Sequence, residues 1–468
     1  MYSCGVELKK KIVLILVILL LNICSLNVFG QDALNQSVSA DNFLSYTIPF
    51  QTAVQCSLKN NSSIKAFRNH LHATEKDIGI AKSEFLPHAK FREDFEVTNN
   101  PIEAFTIKLN QTRAAAKDLA FGTLDFPGAT LNFLTSLIAE QTFFDKKSAV
   151  GIKIAKKAYS ADECMYVKKK EELVNKVAQA CLKINTDKEI IKVVEEGIKD
   201  ATEDLEIAQD RYNKKKGLYS DVFRAQSAVE ERQQRLISAN KNLDVAKKNL
   251  GLLLSTESPM EISDSVPEIK LDNDVTYYQH LAAFRSDIKA MEKRVENTQN
   301  NIKYEQADWY PTLKAVASYN FYDPFYPFGG LGNNYIAGAF LKWDIFDGNK
   351  RKYEIEKAKY QAEEAKEYLE GYKKDVNFKV YETYANIVEH QKNLEYAIKS
   401  KKAAEESQIQ IEKSWSESVL PFVAVIDSQD NLDRAKLNLI NNRFDIQEDL
   451  ITLLYESGII YQTFGIEY

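Results

Sequence analysis

Residues 221–250, DVFRAQSAVEERQQRLISANKNLDVAKKNL, carry an apolar residue at every seventh position. The row runs Val222, Val229, Leu236, Leu243 and Leu250, with Ala225, Ala239, Ala246 and Leu253 three residues on. A strict seven-residue repeat with a second apolar row is typical of a helix packed in a coiled coil. The same row recurs 203 residues later as Val425, Leu432, Leu439, Ile446 and Leu453. The chain therefore contains two copies of a helical unit.

The two copies also match outside this helix. The motifs Ile64-Lys65-Ala66 and Phe85-Leu86-Pro87 correspond to Ile288-Lys289-Ala290 and Trp309-Tyr310-Pro311, at an offset of 224 residues. The offset falls to 202 between Phe144-Asp145 and Phe346-Asp347, which indicates one difference in loop length. Each copy is predicted to run helix, β-hairpin, very long helix, helix.

The predicted boundaries follow from these patterns. Copy one, residues 48–254, is predicted to have helices at about 48–86, 145–216 and 219–254 and strands at about 89–97 and 131–144. Copy two, residues 275–457, is predicted to have helices at about 275–309, 347–415 and 421–457 and strands at about 313–322 and 335–346. Residues 255–274, which include Pro259 and Pro267, are interpreted as a linker. Residues 31–47 are interpreted as an N-terminal extension and 458–468 as a short C-terminal tail.

The predicted helix lengths indicate an elongated molecule. In each copy the two shorter helices together are slightly longer than the long helix, so that, stacked end to end, they would match its length of about 100 Å. The long helix of copy two has an inner row with about 3.64 residues per turn, close to the value of a straight helix. That row is Ala358, Ala362, Ala365, Leu369, Tyr372, Val376, Val380, Tyr384, Ile387, Gln391, Leu394 and Ile398. It favours helices packed side by side into a wall, with an extended coiled coil as the alternative.

Residues 335–345, YIAGAFLKWDI, alternate between two kinds of surface. One face is wholly apolar, while the other includes Lys342 and Asp344. An apolar face with aromatic residues at its ends is typical of a strand in a membrane barrel. We therefore predict that Lys342 and Asp344 face a lumen and that lipid contacts Tyr335, Leu341, Trp343 and Ile345. The strands of copy one alternate less clearly, and a half-buried sheet of a soluble protein is the alternative for any single strand.

Four strands cannot close a barrel, and an open sheet edge is not tolerated in lipid. If these strands cross a membrane, several chains must share one barrel. Three chains would supply twelve strands, an even number of the kind found in such barrels.

The N-terminus has the features of a secretory signal peptide, predicted at residues 1–30. Lys9, Lys10 and Lys11 form a basic end, an apolar core follows, and Val28-Phe29-Gly30 offers a cleavage site. A retained membrane anchor and lipidation at Cys24 are the alternatives. Only Cys56, Cys164 and Cys181 remain after cleavage, so a disulfide framework is not expected. A net charge of −6 gives no electrostatic footprint for nucleic acid.

Export, the doubled plan and several short motifs together resemble the TolC-like outer membrane efflux protein family. The motifs are Phe85-Leu86-Pro87, Trp309-Tyr310-Pro311, Phe144-Asp145, Phe346-Asp347-Gly348, Asp221-Val222-x-x-Ala225, Ala104-Phe105, Leu109-Asn110-Gln111 and Asn132-Phe133. The resemblance covers roughly residues 45–457, and it depends on the order of the motifs and on the repeat.

The resemblance implies a mainly α fold with a small β part. It implies a homotrimer with a shared twelve-strand barrel in the outer membrane and a helical tunnel in the periplasm. That tunnel would be the exit duct of an inner-membrane pump, docked through a periplasmic adaptor protein, for efflux or type I secretion. Hairpin loops at about 98–130 and 323–334 would face outside, and the turns at 217–221 and 418–421 would form the periplasmic tip.

The family narrows its closed tip with aspartates in the pattern Asp-Val-x-Asp-Ala. Here the pattern is divided between the copies, because Asp221 matches its first acid and Asp427 its second. Ala424 replaces an acid in copy two, and Arg224 occupies the position equivalent to Asp427. We hypothesise a periplasmic gate of Asp221, Arg224 and Asp427, in which Arg224 pairs with an acid. Three solvated side chains are the alternative.

No catalytic site, metal site or cofactor is predicted. The five histidines lack both a metal-ligand spacing and a clear partner acid, and no phosphate-binding glycine loop or nucleophile elbow occurs. Two other classes remain possible: a structural or adhesive periplasmic coiled-coil protein and, less readily, a pump adaptor. Four methionines do not support a methionine relay for copper or silver, and the cargo stays open among drug-like molecules, metals and polypeptides.

Overall fold

The computed structural model of the chain describes residues 47–417 and 419–466. The predicted signal peptide, Cys24 and all but the last residue of the predicted N-terminal extension lie outside the described residues. No helix within the described ranges is both long and apolar enough to cross a bilayer.

The described chain is mainly helical with a small sheet, which confirms the predicted fold class. The first half contains β1 (Thr47–Ile48), α1 (Phe50–Asn60), α2 (Ser62–Ser83), β2 (His88–Thr98), α3 (Pro101–Asn110), α4 (Phe121–Asp125), β3 (Thr130–Phe144), α5 (Lys146–Asn213) and α6 (Tyr219–Leu253). The second half contains β4 (Glu261–Ile262), α7 (Val275–Ala282), α8 (Ser286–Gln306), β5 (Thr312–Asp323), β6 (Gly332–Lys342), α9 (Lys350–Ser416), α10 (Phe422–Glu456) and α11 (Ile460–Thr463).

The helices lie side by side around the two long ones. The helix α5 has 68 residues and α9 has 67, so each is about 100 Å long. Near the sheet, α8 packs between α5 and α9, and α2 packs on α5; towards the opposite end, α6 packs on α5 and α10 packs on both long helices. Two short helices therefore accompany each long helix end to end, as the lengths predict.

The seven-residue rows form the packing seams. All five positions of the second row, from Val425 to Leu453, are buried, as are Val222, Val229 and Leu250 of the first. In α9 the straight inner row is buried or half-buried as far as Leu394, except that Gln391 is exposed. The last predicted member, Ile398, is also exposed, and Ala397 is buried instead. Over about eleven turns, a small difference between the period of the row and that of the helix rotates the row around the helix axis. At this end of α9 the buried position is therefore Ala397 instead of Ile398.

The first predicted helix of each copy is broken. The predicted helix 48–86 divides at Asn61, whose side chain accepts a hydrogen bond from the Ser63 N–H and donates one to the Leu253 carbonyl. The predicted helix 275–309 divides between α7 and α8, where Arg285 donates to the Glu456 carbonyl. In both copies the break therefore contacts the C-terminal end of that copy's last helix, whose carbonyls lack intrahelical partners.

A buried ionic cluster surrounds the second break. The Arg285 guanidinium donates to both carboxylate oxygens of Asp287 and pairs with Glu456. The Tyr372 hydroxyl of α9 donates to Asp287 at 2.7 Å. Burial alone would raise the pKa of Asp287, but Arg285 outweighs it and holds that pKa below its usual value. Burial and the nearby Arg285 lower the pKa of Lys168 to about 8. The cluster joins α5, α8, α9 and α10.

The structure adds detail to three further segments. The predicted linker contains β4, which pairs in parallel with β1. In the predicted C-terminal tail, Ile460 and Phe464 are buried in the main core, and Phe464 contacts Phe50 edge to face. The strand predicted to reach residue 346 ends at Lys342, opposite Thr312. Pro311 precedes Thr312 and has no N–H to donate, so the ladder stops there.

We predict that Arg285→Met lowers the free energy of unfolding by about 3–5 kcal/mol, because it leaves the buried Asp287 and the half-buried Glu456 without their cation. Arg294→Met is the matched control on the same helix, since Arg294 is mostly exposed. Urea unfolding of the detergent-solubilised protein, followed by circular dichroism, measures both variants. Equal midpoints for the two variants would show that the cluster contributes little to stability.

Candidate channel surfaces

The four long strands form one antiparallel sheet in the order β2-β3-β5-β6. The β2–β3 hairpin of copy one thus lies next to the β5–β6 hairpin of copy two. Among the described residues, the outer edges of β2 and β6 have no strand partner. The sheet therefore ends on two open edges.

Apart from a bulge between Thr142 and Phe144, the register places the odd-numbered residues of all four strands on one face. This face, here named the apolar face, also carries Glu93. Its cross-strand pairs include Phe95 with Phe133 and Tyr319 with Tyr335. The face also carries Phe91, Val97, Leu131, Leu137, Ala317, Phe321, Ala337, Ala339 and Leu341. Many of these large side chains are exposed, with Tyr335 78% accessible. So many exposed apolar side chains on one face mark an interaction with lipid or with another protein.

The even-numbered residues form the opposite, polar face. It carries Lys90, Arg92, Asp94, Glu96, Ser136, Glu140, Lys314, Asn320 and Lys342. Lys90 and Glu140 form an ion pair across β2 and β3 at 3.0 Å, and Arg92 pairs with Asp94 along β2. The sheet is therefore amphipathic in copy one as well, where the sequence alternation is weaker.

The predicted strand residues have the following positions. Tyr335 and Leu341 lie on the apolar face of β6, and Lys342 lies on the polar face. Trp343, Asp344 and Ile345 follow the end of the strand, and all three are exposed. The Lys342 ammonium pairs with Asp344 at 3.3 Å, while the Trp343 indole N–H donates to the Trp309 carbonyl at 3.2 Å.

The predicted gate residues lie at the opposite end of the helices. Asp221 is half-buried in the first turn of α6, whereas Arg224 and Asp427 are exposed at equivalent positions of α6 and α10. Within the described part of the chain, Arg224 forms no ion pair.

Sequence reasoning missed how the two tips are joined inside one chain. Trp415 and Phe422 of copy two contact each other and pack with Val222 and Ala225 of copy one. The Arg211 guanidinium stacks over the Trp415 ring at 4.0 Å. The arginine and the tryptophan both precede a helix turn, which is a signal that a search for contacts between the copies could have used.

Sequence reasoning also missed a layer of polar side chains between α5, α6 and α10, on the side of the tips that faces the sheet. Arg232 of α6 and Asp433 of α10 are both buried, and the arginine Nε donates to the carboxylate at 2.9 Å. Gln429 donates to Asp200 of α5 at 3.0 Å. A side chain at Gly197 would meet the Asp433 carboxylate at 3.0 Å, so the glycine lets the two helices approach. The layer joins α5, α6 and α10.

Asp204 carries an uncompensated charge in this layer. Burial, followed by repulsion from Glu412 of α9, raises the pKa of Asp204 to about 6, although Arg232 opposes this. Asp200 and Glu203 on the same helix add to the repulsion. Burial likewise raises the pKa of Asp433 despite its contact with Arg232. Arg232 therefore does not fully offset the effect of burial on the pKa values of Asp204 and Asp433.

One group of carboxylates has the spacing of metal ligands among the described residues, namely Glu305, Asp308 and Glu354. The Lys147 ammonium contacts Asp308 at 2.7 Å and lies 4.0 Å from Glu305. These contacts neutralise part of the cluster, so the cluster supports no metal assignment.

A long helical wall beside an amphipathic sheet with open edges is the architecture of outer membrane efflux proteins. The chain belongs to the outer membrane efflux protein family, whose model matches residues 53–256 and 277–456. The two matched segments correspond to the two copies. The family consists of TolC-like transport channels and not of enzymes.

Solved structures have the same fold at low sequence identity. A crystal structure of CusC, described as a transmembrane channel, is 14% identical with a TM-score of 0.74, over 92% of this chain and 95% of that one. The CmeC outer membrane channel of Campylobacter jejuni is 14% identical with a TM-score of 0.72, over 88% and 86%. The MtrE outer membrane channel of Neisseria gonorrhoeae, in its open state, is 15% identical with a TM-score of 0.69, over 88% and 89%. No curated protein sequence matches the chain.

We predict that Asp204→Asn stabilises the protein at pH 7.5 by about 1 kcal/mol, a value reduced for partial solvent screening. Because the folded-state pKa lies above the unfolded one, the favourable contribution of neutral Asp204 is lost as pH rises through about 6. The difference from wild type should therefore shrink towards pH 4.5. Urea unfolding at the two pH values measures it.

The control for this prediction is Asp244→Asn, which removes an exposed acid from α6. The control should show no comparable change with pH. If Asp204→Asn showed the same stability difference from wild type at both pH values, Asp204 would not titrate in this range.

Proposed function

We propose that three copies of this chain form an outer membrane channel that serves as the exit duct of a tripartite efflux system. The duct would receive substrate from an inner-membrane pump through a periplasmic adaptor protein and release it outside the cell. The observation that carries the proposal is the sheet, which is amphipathic on all four strands and open at both edges.

The open edges favour a shared barrel. Each unpaired backbone group costs several kcal/mol in hydrocarbon, so a membrane sheet has to close on itself. If β6 of one chain pairs with β2 of the next, three chains supply twelve strands and leave no edge. The order β2-β3-β5-β6 places the edge strands β2 and β6 at opposite edges of the sheet. In a cyclic assembly, one edge of each copy can therefore pair with the other edge of the next copy.

The two faces of the sheet favour one orientation in such a barrel. The apolar face would contact lipid through Tyr335, Leu341, Trp343 and Ile345. The polar face would line the lumen, with Lys342 and Asp344 near its periplasmic end. This is the alternation expected of a barrel whose interior holds water.

The helical part would extend from the barrel into the periplasm. Helices of about 100 Å are far longer than a compact domain needs, but they suit a duct that reaches towards the inner membrane. Packing places α6 and α9 at the two sides of the four-helix arrangement near the tips, which leaves both available to neighbouring copies.

The tip would act as the gate. Asp221 and Asp427 from three subunits would place six acids near the entrance, and Arg224 would pair with an acid of a neighbouring subunit in the closed state. The exposure of Arg224 and Asp427 leaves both free for such a contact.

The same observations weigh against a structural or adhesive coiled-coil protein. In such a protein the exposed apolar face of the sheet would remain in contact with water, where it would favour aggregation. The coiled-coil protein should be extracted from cells without detergent, whereas a barrel should require detergent.

We expect the purified full-length protein to form detergent-dependent trimers that conduct ions in planar lipid bilayers. Outer membrane fractionation, cross-linking and single-channel recording test this together. A monomer that stays soluble without detergent and never conducts would rule out the proposed duct.

We expect Trp343 to contact acyl chains in the assembled protein. The chain has three tryptophans, so a variant with Trp309→Phe and Trp415→Phe retains Trp343 as the single fluorophore. Brominated acyl chains should quench its emission strongly, because bromine quenches at contact distance. The matched control retains Trp415 instead, which lies at the tip; equal quenching in both variants would contradict the assignment of the lipid face.

We expect the double variant Arg224→Ala/Asp427→Ala to conduct more than the wild type, because the closed tip loses its opposed charges. The size of the increase should depend on how wide the relaxed tip becomes. Asp244→Ala, another exposed position on α6, serves as the control. Unchanged single-channel conductance in the double variant would exclude these residues from the gate.

A further inference from the structure

The segment that connects β2 to β3, residues 99–129, is folded rather than extended. It contains α3, a short 3-10 turn (Ala116–Leu119) and α4. The Asn100 side chain caps α3 by accepting from the N–H groups of Ile102 and Glu103. A buried ion pair between Lys108 and Asp118 at 3.0 Å holds the rest of the segment against α3. The segment is therefore a small structured unit.

This unit is anchored to the polar face of the sheet. Gln111, which is fully buried, donates to the Leu131 carbonyl at 2.9 Å and to the Asn132 side chain at 3.1 Å. Asn110 accepts from the Asn334 side chain on β6 at 3.5 Å. Asn132 and Asn334 are even-numbered, so both project from the same face as Lys342. The segment thus crosses from β3 to β6 on the side that carries the charges.

Gly332 permits the close approach at β6. A Cβ atom built on Gly332 would lie 1.8 Å from the Asn110 carbonyl oxygen and 3.0 Å from the Gln111 Cα. Both contacts are with backbone, which cannot move aside as a flexible side chain can. The position is even-numbered, so this contact independently places α3 on the polar face.

Part of the β5–β6 loop reaches the other side of the sheet. The Phe328 ring stacks on Phe91 with the centroids 5.8 Å apart, and the Phe328 N–H donates to Glu93 at 3.4 Å. Phe91 and Glu93 are odd-numbered and belong to the apolar face. The start and end of the same loop contact residues 99–129, because Arg113 lies over the Phe325 ring and the Thr112 hydroxyl donates to the Leu331 carbonyl at 3.1 Å.

The segment exposes several large apolar side chains among its charged ones. Five of them are exposed to solvent in the single chain: Ile102, Leu109, Leu119, Phe121 and Phe126. Phe126 is 84% accessible. Such a patch on an anchored unit is expected to be covered in the working assembly.

We propose that residues 99–129 lie inside the mouth of the shared barrel, where the segments of three copies meet and narrow the exit. This inference rests on the proposed trimeric duct, in which the polar face lines the lumen. A unit fixed to that face has no place except the lumen or its rim. The exposed apolar side chains of one copy then pack against those of the other two copies.

The constriction limits the size of the substrate that can pass through the barrel. Barrels of eight strands are filled by side chains alone, and those of sixteen or more leave a wide channel. A twelve-strand barrel lies between these limits, so three folded segments occupy much of its interior. The exit therefore suits small solutes and excludes folded polypeptides. Opening the periplasmic tip does not remove this second restriction.

The test uses intact cells that carry the full-length protein with Lys342→Cys, on the polar face at the end of β6 away from the segment. A small impermeant maleimide and a polyethylene-glycol maleimide of about 5 kDa are added from outside, because pore width decides which of them can pass. The wild-type protein, which has Lys342, corrects for labelling at Cys56, Cys164 and Cys181.

Two further variants disturb the segment in the Lys342→Cys background. One replaces residues 101–125 by a short Gly-Ser linker, and the other is Gly332→Val, which displaces α3. The matched control is Gly330→Val, where an added Cβ meets only an ordinary contact with Phe321 at 3.5 Å. The second variant keeps the test informative if the deletion fails to assemble.

We expect the small reagent to label all four proteins. The large reagent should label the deletion and Gly332→Val at least about tenfold faster than the Lys342→Cys parent and Gly330→Val. Equal labelling of all four by the large reagent, or exclusion from all four, overturns the proposed constriction. Failure of even the small reagent to reach residue 342 is a different result, because it contradicts the lumen assignment of the proposed duct itself.

Discussion

Every backbone N–H and C=O group of a strand in lipid needs a partner, and one copy of this chain leaves two strand edges without one. This constraint connects the other features of the proposed assembly. Closure between β6 and a neighbouring β2 turns the apolar face outwards and the polar face inwards. The segment after β2 must then enter the lumen, because Gln111 and Gly332 fix it to the polar face. The same closure arranges the long helices of three copies around a common axis.

The two copies share a plan but differ in the chemistry that maintains it. At the break in the first helix, Asn61 contacts the Leu253 carbonyl with a neutral amide, whereas Arg285 contacts the Glu456 carbonyl as part of a buried ionic cluster. Both side chains satisfy a carbonyl at a helix end, which is the shared requirement. The charged version also ties in Tyr372 of the second long helix. At its helix break the second copy therefore contacts its long helix α9 as well as the end of α10.

The helices near the tips are joined by polar groups as well as by the apolar seams. Arg232 and Asp433 form a buried pair, and Asp204 lies beside it with a raised pKa. Replacing a buried ion pair by apolar packing of the same volume is often neutral or stabilising, whereas removing one partner is costly. The Arg232–Asp433 pair therefore fixes the relative position of α6 and α10 within one chain.

The seven-residue rows predicted the last helix of each copy, and alternation of apolar and polar residues, clear only in copy two, predicted the strands. These patterns are local, because periodicity records which side of an element is buried. Burial of the second row from Val425 to Leu453 confirms this. Only the tertiary structure decided where the first helix of each copy breaks, since Asn61 depends on a carbonyl 192 residues away. It also decided that β6 ends at Lys342, that residues 99–129 lie on the polar face and that Asp204 has a raised pKa. Each of these outcomes depends on partners from distant parts of the chain, and no local pattern records them.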